Sequence, residues 1–348
     1  MTSLFRSVMD FIYGFIGNYG WAVIVFSMLI KLVLLPLDIK SRKSMRAMAA
    51  LNPKMEELKK RYGKDQEKLN QKMSELYKKN KVNPLSGCLP VLIQLPILYI
   101  MFAVMRNVAA ELQLKQMYEW IAQNMCDESG AFLSLDSASI QSFLESVRNG
   151  GAMEAFSGQN WLWIKNVFQP DTFSKTVIPT VSELTSMINQ YSNALSEEGM
   201  ALLNSYVSNT ALAEAVDAAV RASCGYQKYS LFMGLTSVNF PSNWSTYVNG
   251  VCALPILAAG TQFLTTLLQP ASEQPAAADG QKGGTGAFMK WFFPILSLWI
   301  CWTSTAAFAI YWVFVNVWSM FTTFCINKFL NMKEKPNIET PTKEELIP

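Results

Sequence analysis

Lys31 is the one charged residue in the run 21–37, WAVIVFSMLIKLVLLPL. A cation in hydrocarbon costs several kcal/mol unless it finds water, a partner or the interface, so an intramembrane lysine is a candidate functional residue. Two readings stand. Asp38 follows seven residues later, about 10 Å along a helix, so the aliphatic stem of Lys31 can snorkel toward headgroups. Alternatively, its ammonium sits in a wet cavity shared with polar residues of other apolar runs. Those residues are Gln94, Thr261, Gln262, the stretch 302–305, Tyr311, Trp312 and Asn316. Taken singly, Gln, Thr and Asn read as interhelical hydrogen-bonding groups, and Tyr and Trp as interfacial belt residues. Taken with a cation, they point to a cavity.

Catalytic chemistry finds little material. Histidine is absent, which removes Ser-His-Asp and Cys-His arrangements and the HExxH zinc motif. Intramembrane acids suited to a proton relay are missing, since Asp38 sits at a run's edge, so an enzyme is not expected. With no histidine and no paired CxxC, no metal site is expected. The stretch 280–286, GQKGGTG, lacks the GK[ST] ending of a phosphate loop and does not lie between a strand and a helix, so no nucleotide cofactor is expected. Cys88, Cys252, Cys301 and Cys325 lie in or beside apolar runs and read as small packing residues. Cys126 and Cys224 lie in one hydrophilic region and are a candidate disulfide pair, which the sequence leaves open.

These residues need elements to hold them. The 348 residues are 51% hydrophobic and 16% charged, with a mean hydropathy of +0.16. Apolar windows fall at 21–37, 89–104, 248–268, 288–301 and 306–326, each without the polar face of a surface helix. The expected architecture is therefore an all-α polytopic membrane protein with five transmembrane helices. The divisions are an amphipathic surface helix at 1–17, spans at 18–38, 86–106, 247–269, 288–302 and 305–327, and a helical hairpin at 39–85. A hydrophilic region fills 107–246, a flexible linker 270–287 and a tail 328–348.

Charge orients these elements. Of the 29 lysines and arginines, 14 fall between Lys40 and Lys81, whereas the stretch 107–247 has six against 13 carboxylates. The positive-inside rule puts the 39–85 hairpin and the carboxyl terminus in the cytoplasm, and the amino terminus and 107–246 outside. No cleavable signal is evident, and residues 1–17 read as a helix lying on the outer leaflet.

Within the hairpin, Met45, Met48, Met55, Leu58 and Tyr62 recur at helical spacing, and Leu69, Met73 and Leu76 continue the stripe. The turn falls at Tyr62-Gly63-Lys64-Asp65, with Asp65 as a helix cap. Pro53 is expected to kink or interrupt the first arm, and Asn83-Pro84 to end the second. In the outer region 112–125, 182–196 and 212–222 look helical. The whole reads either as a small helical cap or as a loosely ordered insertion.

Several motifs carry a family resemblance. The run Ile30-Lys31-Leu32-Val33-Leu34-Leu35-Pro36-Leu37 with Ser41-Arg42-Lys43-Ser44-Met45 resembles the first span of the bacterial YidC membrane protein insertases. So do Leu51-Asn52-Pro53-Lys54 and Leu58-Lys59-Lys60-Arg61-Tyr62 in the hairpin. Val82-Asn83-Pro84 through Pro90, and Ile93-Gln94-Leu95-Pro96-Ile97, are similar to the second span. Leu162-Trp163-Ile164, Gln169-Pro170-Asp171, Leu254-Pro255-Ile256-Leu257, Thr261-Gln262-Phe263-Leu264, Phe293-Pro294 and Ile310-Tyr311-Trp312 follow in family order.

The resemblance implies a five-helix core around a hydrophilic groove open to cytoplasm and lipid, in a bacterial plasma membrane. Lys31 takes the position of the family's groove arginine, and Gln262 and Trp312 match groove-lining positions. It implies nascent membrane proteins as clients, with the ribosome, the signal recognition particle receptor and the Sec translocon as partners. Lysine in place of arginine keeps the charge and loses the two-pronged guanidinium. Thr303-Ser304-Thr305-Ala306-Ala307 replaces a glycine-containing start of the last span, and the segment 172–244 has no family counterpart. Two other classes stay open: a small-solute transporter or channel, and a membrane-anchored sensor built on 172–244.

Overall fold

A computed structural model describes residues 2–80, 89–156, 159–231, 236–244, 246–268 and 285–333. Pro84, most of the 270–287 linker and the tail after 333 lie outside them. Three helical stretches are long and apolar enough to cross a membrane, Tyr19–Ser44, Gln94–Met125 and Ala306–Ile326, and Ala253–Leu268 is a shorter apolar helix. The chain is a polytopic, predominantly helical membrane protein. It divides into two compact units.

The first unit comprises Met1–Phe26, Ile100–Ala259 and Ile295–Val313. Helix α1 (Thr2–Ile16) is amphipathic: Met9 and Ile12 are buried, Phe11 and Phe15 exposed. Its Arg6 donates to Glu111 at 2.7 Å. Helix α2 (Tyr19–Ala50) starts in this unit and continues twelve residues past the expected end of the first span. Helices α3 (Asn52–Tyr62) and α4 (Gln66–Lys79) belong to the second unit. Helix α5 (Leu89–Met125) is continuous, so 112–125 is not a separate helix. Between residues 97 and 129 there is no glycine or proline to break it.

The far end of α5 seeds a large core. Leu114, Met117, Ile121 and Met125 are buried with Ile140, Leu144 and Val147 of α6 (Ala138–Arg148) and Phe156 of α7 (Met153–Phe156). Leu184 and Ile188 of α8 (Val181–Gln190), Leu203 and Tyr206 of α9 (Glu197–Ser208), and Leu212, Val216 and Val220 of α10 (Thr210–Cys224) complete it. The cap is well packed, and its core draws on residues both before and after Asp171.

Four helix starts of the cap satisfy an orphan amide with a side chain. Ser137 serves α6, Ser196 α9 and Asn209 α10, and Thr180 with Glu183 forms a reciprocal capping box on α8. Helix α10 ends at Gly225, whose φ of 59° is left-handed, a conformation glycine adopts without a Cβ clash. Two antiparallel strands follow, β1 (Tyr226–Leu231) and β2 (Thr236–Pro241), with Tyr226 opposite Pro241 and Leu231 opposite Thr236. This hairpin departs from the all-helical expectation. Cys126 and Cys224 are both free thiols, so the candidate disulfide is not made. Burial pushes both thiols up from their ordinary value, which suits small packing groups.

The second unit comprises Ser27–Tyr99, Gly260–Pro294 and Phe314–Pro348. Its helical hairpin matches the apolar stripe: Leu51, Met55, Leu58, Leu69 and Leu76 are buried together, with Tyr62, Met73 and Tyr77 against them. Gly63 and Asp65 turn the chain, and Asp65 accepts the Lys68 amide at 3.1 Å. Pro53 marks an interruption of the first arm rather than a kink. The chain breaks at Leu51, and Pro53 occupies the first turn of α3, where its missing N–H satisfies no one in any case.

Helix α11 (Ala253–Leu268), α12 (Thr285–Thr303) and α13 (Ala306–Lys333) complete the chain. Pro36, Pro96 and Pro294 lie inside α2, α5 and α12, as spanning helices tolerate.

Candidate functional site

Lys31 is buried, 9% exposed, on the apolar stretch of α2. Its Nζ donates to Oε1 of Gln94 on α5 at 2.9 Å. A buried ammonium needs polar partners to offset lost hydration, and an amide oxygen supplies one without cancelling the charge. The simple snorkelling reading gives way to a side chain held by a neighbouring helix.

A second polar pair lies in the same unit. Asn316 of α13, itself buried, donates from Nδ2 to Oγ1 of Thr261 on α11 at 3.2 Å. Gln262 is the next residue of α11 and is half-buried. Of the remaining expected residues, Tyr311 and Trp312 belong to the other unit. There Tyr311 is 2% exposed, and both rings flank Phe308, at 6.1 and 5.7 Å between centroids. The indole Nε1 of Trp312 is buried with no hydrogen-bond partner among the described residues. The expected set thus divides: Lys31, Gln94, Gln262 and Asn316 share one unit, and Tyr311 and Trp312 sit in an aromatic cluster of the other.

One positioning residue was not foreseen. Asp171 is fully buried in the first unit, and its carboxylate accepts the amides of Val251 at 2.9 Å, Cys252 at 3.2 Å and Leu254 at 2.7 Å. The Trp163 indole adds a longer contact of 3.3 Å. It is the N-terminal cap of α11, delivered from 80 residues upstream. Cys252 is bent to a left-handed φ of 66° at this joint. The available signal was the stretch Gly250-Val251-Cys252 itself, which brings no Ser, Thr, Asp or Asn to the position before α11.

Around Asp171 the backbone is fixed by a buried amide. Asn249 accepts the Asn166 amide at 2.8 Å and donates to the carbonyls of Asn166 and Pro170 at 3.0 and 2.9 Å. The same segment receives α13: the amides of Ala306 and Ala307 donate to the carbonyls of Gln169 and Val167 at 2.9 and 2.8 Å. Residues 166–171 therefore terminate two apolar helices at once.

Sequence comparison gives these features a context. A family model described as 60Kd inner membrane protein matches residues 11–335. A membrane protein insertase YidC of Fusobacterium nucleatum is 50% identical over 93 residues, 27% of this chain and 45% of that protein. The protein of that name from Thioalkalivibrio sulfidiphilus is 49% identical over 98 residues, 28% of this chain and 18% of its own. That of Legionella pneumophila is 43% identical over 121 residues, 35% and 22%. In each case the match spans less than half of the curated relative's length.

Proposed function

Because the chain belongs to the 60Kd inner membrane protein family, we propose that it is a membrane protein insertase and chaperone, working through a positively charged hydrophilic groove without nucleotide hydrolysis. The observation that carries this reading is the buried Lys31 ammonium bonded to Gln94. A fixed cation within an apolar helix attracts acidic residues in the polar segment of a client. A hydrated groove shortens the hydrocarbon that this segment crosses. The client's own apolar helix then passes sideways into lipid, and burial of its surface drives the process.

In this proposal the five spans place the amino terminus outside and the carboxyl terminus in the cytoplasm, following the basic residues between Lys40 and Lys81. The α3–α4 hairpin, basic and built on a small core, meets the client first, handed on by the ribosome, the signal recognition particle receptor or the Sec translocon. Gln262 and Asn316 line the groove with Lys31 and Gln94.

The test is insertion of a single-span client with an acidic translocated tail into vesicles holding the purified protein, read by protease protection. Protected tail is expected with the protein and not with empty vesicles, together with crosslinks from the nascent chain to position 262. Solute flux through client-free vesicles, without tail protection, would instead identify a transporter or channel.

A further inference from the structure

An apolar path leads from the lipid-type surface of α12 onto the β-hairpin. Ile295, Leu298, Trp299 and Trp302 recur at helical spacing on α12 and are all exposed. A stripe of this kind belongs against acyl chains rather than water. Its last member, Trp302, meets Phe173 edge-on with centroids 5.7 Å apart. Phe173 stacks on Phe240 of β2 at 4.6 Å, and Phe240 meets Tyr229 of β1 at 5.8 Å. Trp244 flanks Phe173 at 6.2 Å. Tyr229 and Trp244 are exposed.

Strand alternation sorts the hairpin into two faces. By register, Gln227 and Tyr229 share a face with Phe240. Tyr226 and Lys228 share the other with Asn239 and Pro241, Tyr226 packing at its inner end against the cap core. The first face thus carries the Tyr229–Phe240 aromatic pair, and the second carries Lys228 and Asn239 beyond Tyr226. Tyrosine and tryptophan, apolar with a polar edge, are the side chains favoured at the headgroup boundary.

We propose that the β1–β2 hairpin is a membrane-surface anchor. Its Tyr229–Phe240 face rests in the headgroup–acyl boundary of the leaflet at which α12 ends, and its Lys228 face looks to water. The occupant is lipid, because the row is continuous with the exposed stripe of α12. The inference requires only that the chain spans a membrane, so it stands or falls apart from the insertase reading.

The test uses full-length protein in phospholipid nanodiscs, its six native cysteines replaced, with Tyr229→Cys or Lys228→Cys carrying an environment-sensitive fluorophore. The Tyr229 label is expected to emit to the blue, to lose most of its intensity to lipids brominated high on the acyl chain, and to resist aqueous iodide. The Lys228 label is expected to behave oppositely. Iodide quenching of both labels overturns the proposal by placing the hairpin in water. Shielding of the Tyr229 label from iodide and brominated lipid alike also overturns it, by showing that protein covers the face. Should the cysteine variant not fold, p-benzoylphenylalanine at position 229 keeps the aromatic ring. A phospholipid adduct on its peptide after irradiation supports the anchor, and absence of the adduct overturns it.

Discussion

The carboxylate of Asp171 accepts the backbone amide of Leu254 at 2.7 Å, across 83 residues of intervening chain. The same carboxylate holds two further amides. Its loss strands three donors at the foot of α11, and a buried unsatisfied group costs about 1–3 kcal/mol. Asp171→Ala should therefore destabilise the protein by about 3 kcal/mol or more, and Asp171→Asn by less, since one amide oxygen still accepts. Thermal melting of the purified protein in detergent reads both. A Cβ at Gly250 would overlap Oδ1 of Asp171 and approach its Cα to 3.1 Å. Gly250→Ala should be severe alone and milder in the Asp171→Ala background, a coupling that a double-mutant cycle measures.

Stability and activity should separate at Lys31. Lys31→Ala and Lys31→Glu should each lower insertion of acidic-tailed clients, Lys31→Glu more so, while Lys31→Arg should retain it. Lys31→Met with Gln94→Leu removes both partners of the buried pair, which is often neutral or stabilising. That double variant should melt no lower than the parent and still fail to insert. Full activity in the double variant would show that the charge is dispensable.

Acidity should act through Asp217, which accepts the Val181 amide at 3.3 Å. Burial raises its carboxyl above 3.8, and neighbouring Glu183 and Glu214 push the same way against the Val181 amide and Arg221. A raised carboxyl means the folded state prefers the protonated form. Its stabilising contribution is complete below the ordinary value near 3.8 and is lost as pH rises through the folded-state value. Asp217→Asn should raise the melting temperature at pH 7 and flatten its pH dependence, with little difference from the parent at low pH.

The segment 172–244 should not be separable from 107–156. Its helices α8, α9 and α10 cover Leu114, Met117, Ile121, Ile140 and Leu144 in one core. Removing 172–244 alone uncovers these side chains, each worth about 1.5–3 kcal/mol of burial. The truncated protein should aggregate during gel filtration in detergent. A monodisperse peak with unchanged melting would contradict the shared core.

What could be read in advance divides along physical lines. Lys31 and Gln94 stood out because a polar group in an apolar run is costly, and that cost demands a partner. The α3–α4 hairpin was legible because Leu58, Leu69 and Leu76 recur at helical spacing within one short segment. Asp171 was not legible. It is one acid among the 13 of its region, and its partners are remote in sequence and are backbone amides that carry no residue-type signal. The β1–β2 strands escaped because Gln227 on one face and Tyr226 and Pro241 on the other dilute the alternation, and the pairing only becomes visible once Gly225 turns the chain. Cys126 and Cys224 share a region but remain unpaired, since spacing alone does not fix geometry.

The remote cap on α11 also has a meaning in time. A chain emerging from a ribosome presents Asp171 80 residues before Val251, and at roughly 5–20 residues per second the delay is about 4–16 s. Until then the carboxylate that will close the joint is hydrated and idle, and the segment that receives α13 has no helix to hold. The β-hairpin and the last helices of the cap are made within that interval. The joint at the foot of α11 therefore forms only after the whole stretch between Thr172 and Gly250 has been made. A slow codon or a folding defect anywhere between Thr172 and Gly250 would be felt at the foot of a helix that has not yet been made.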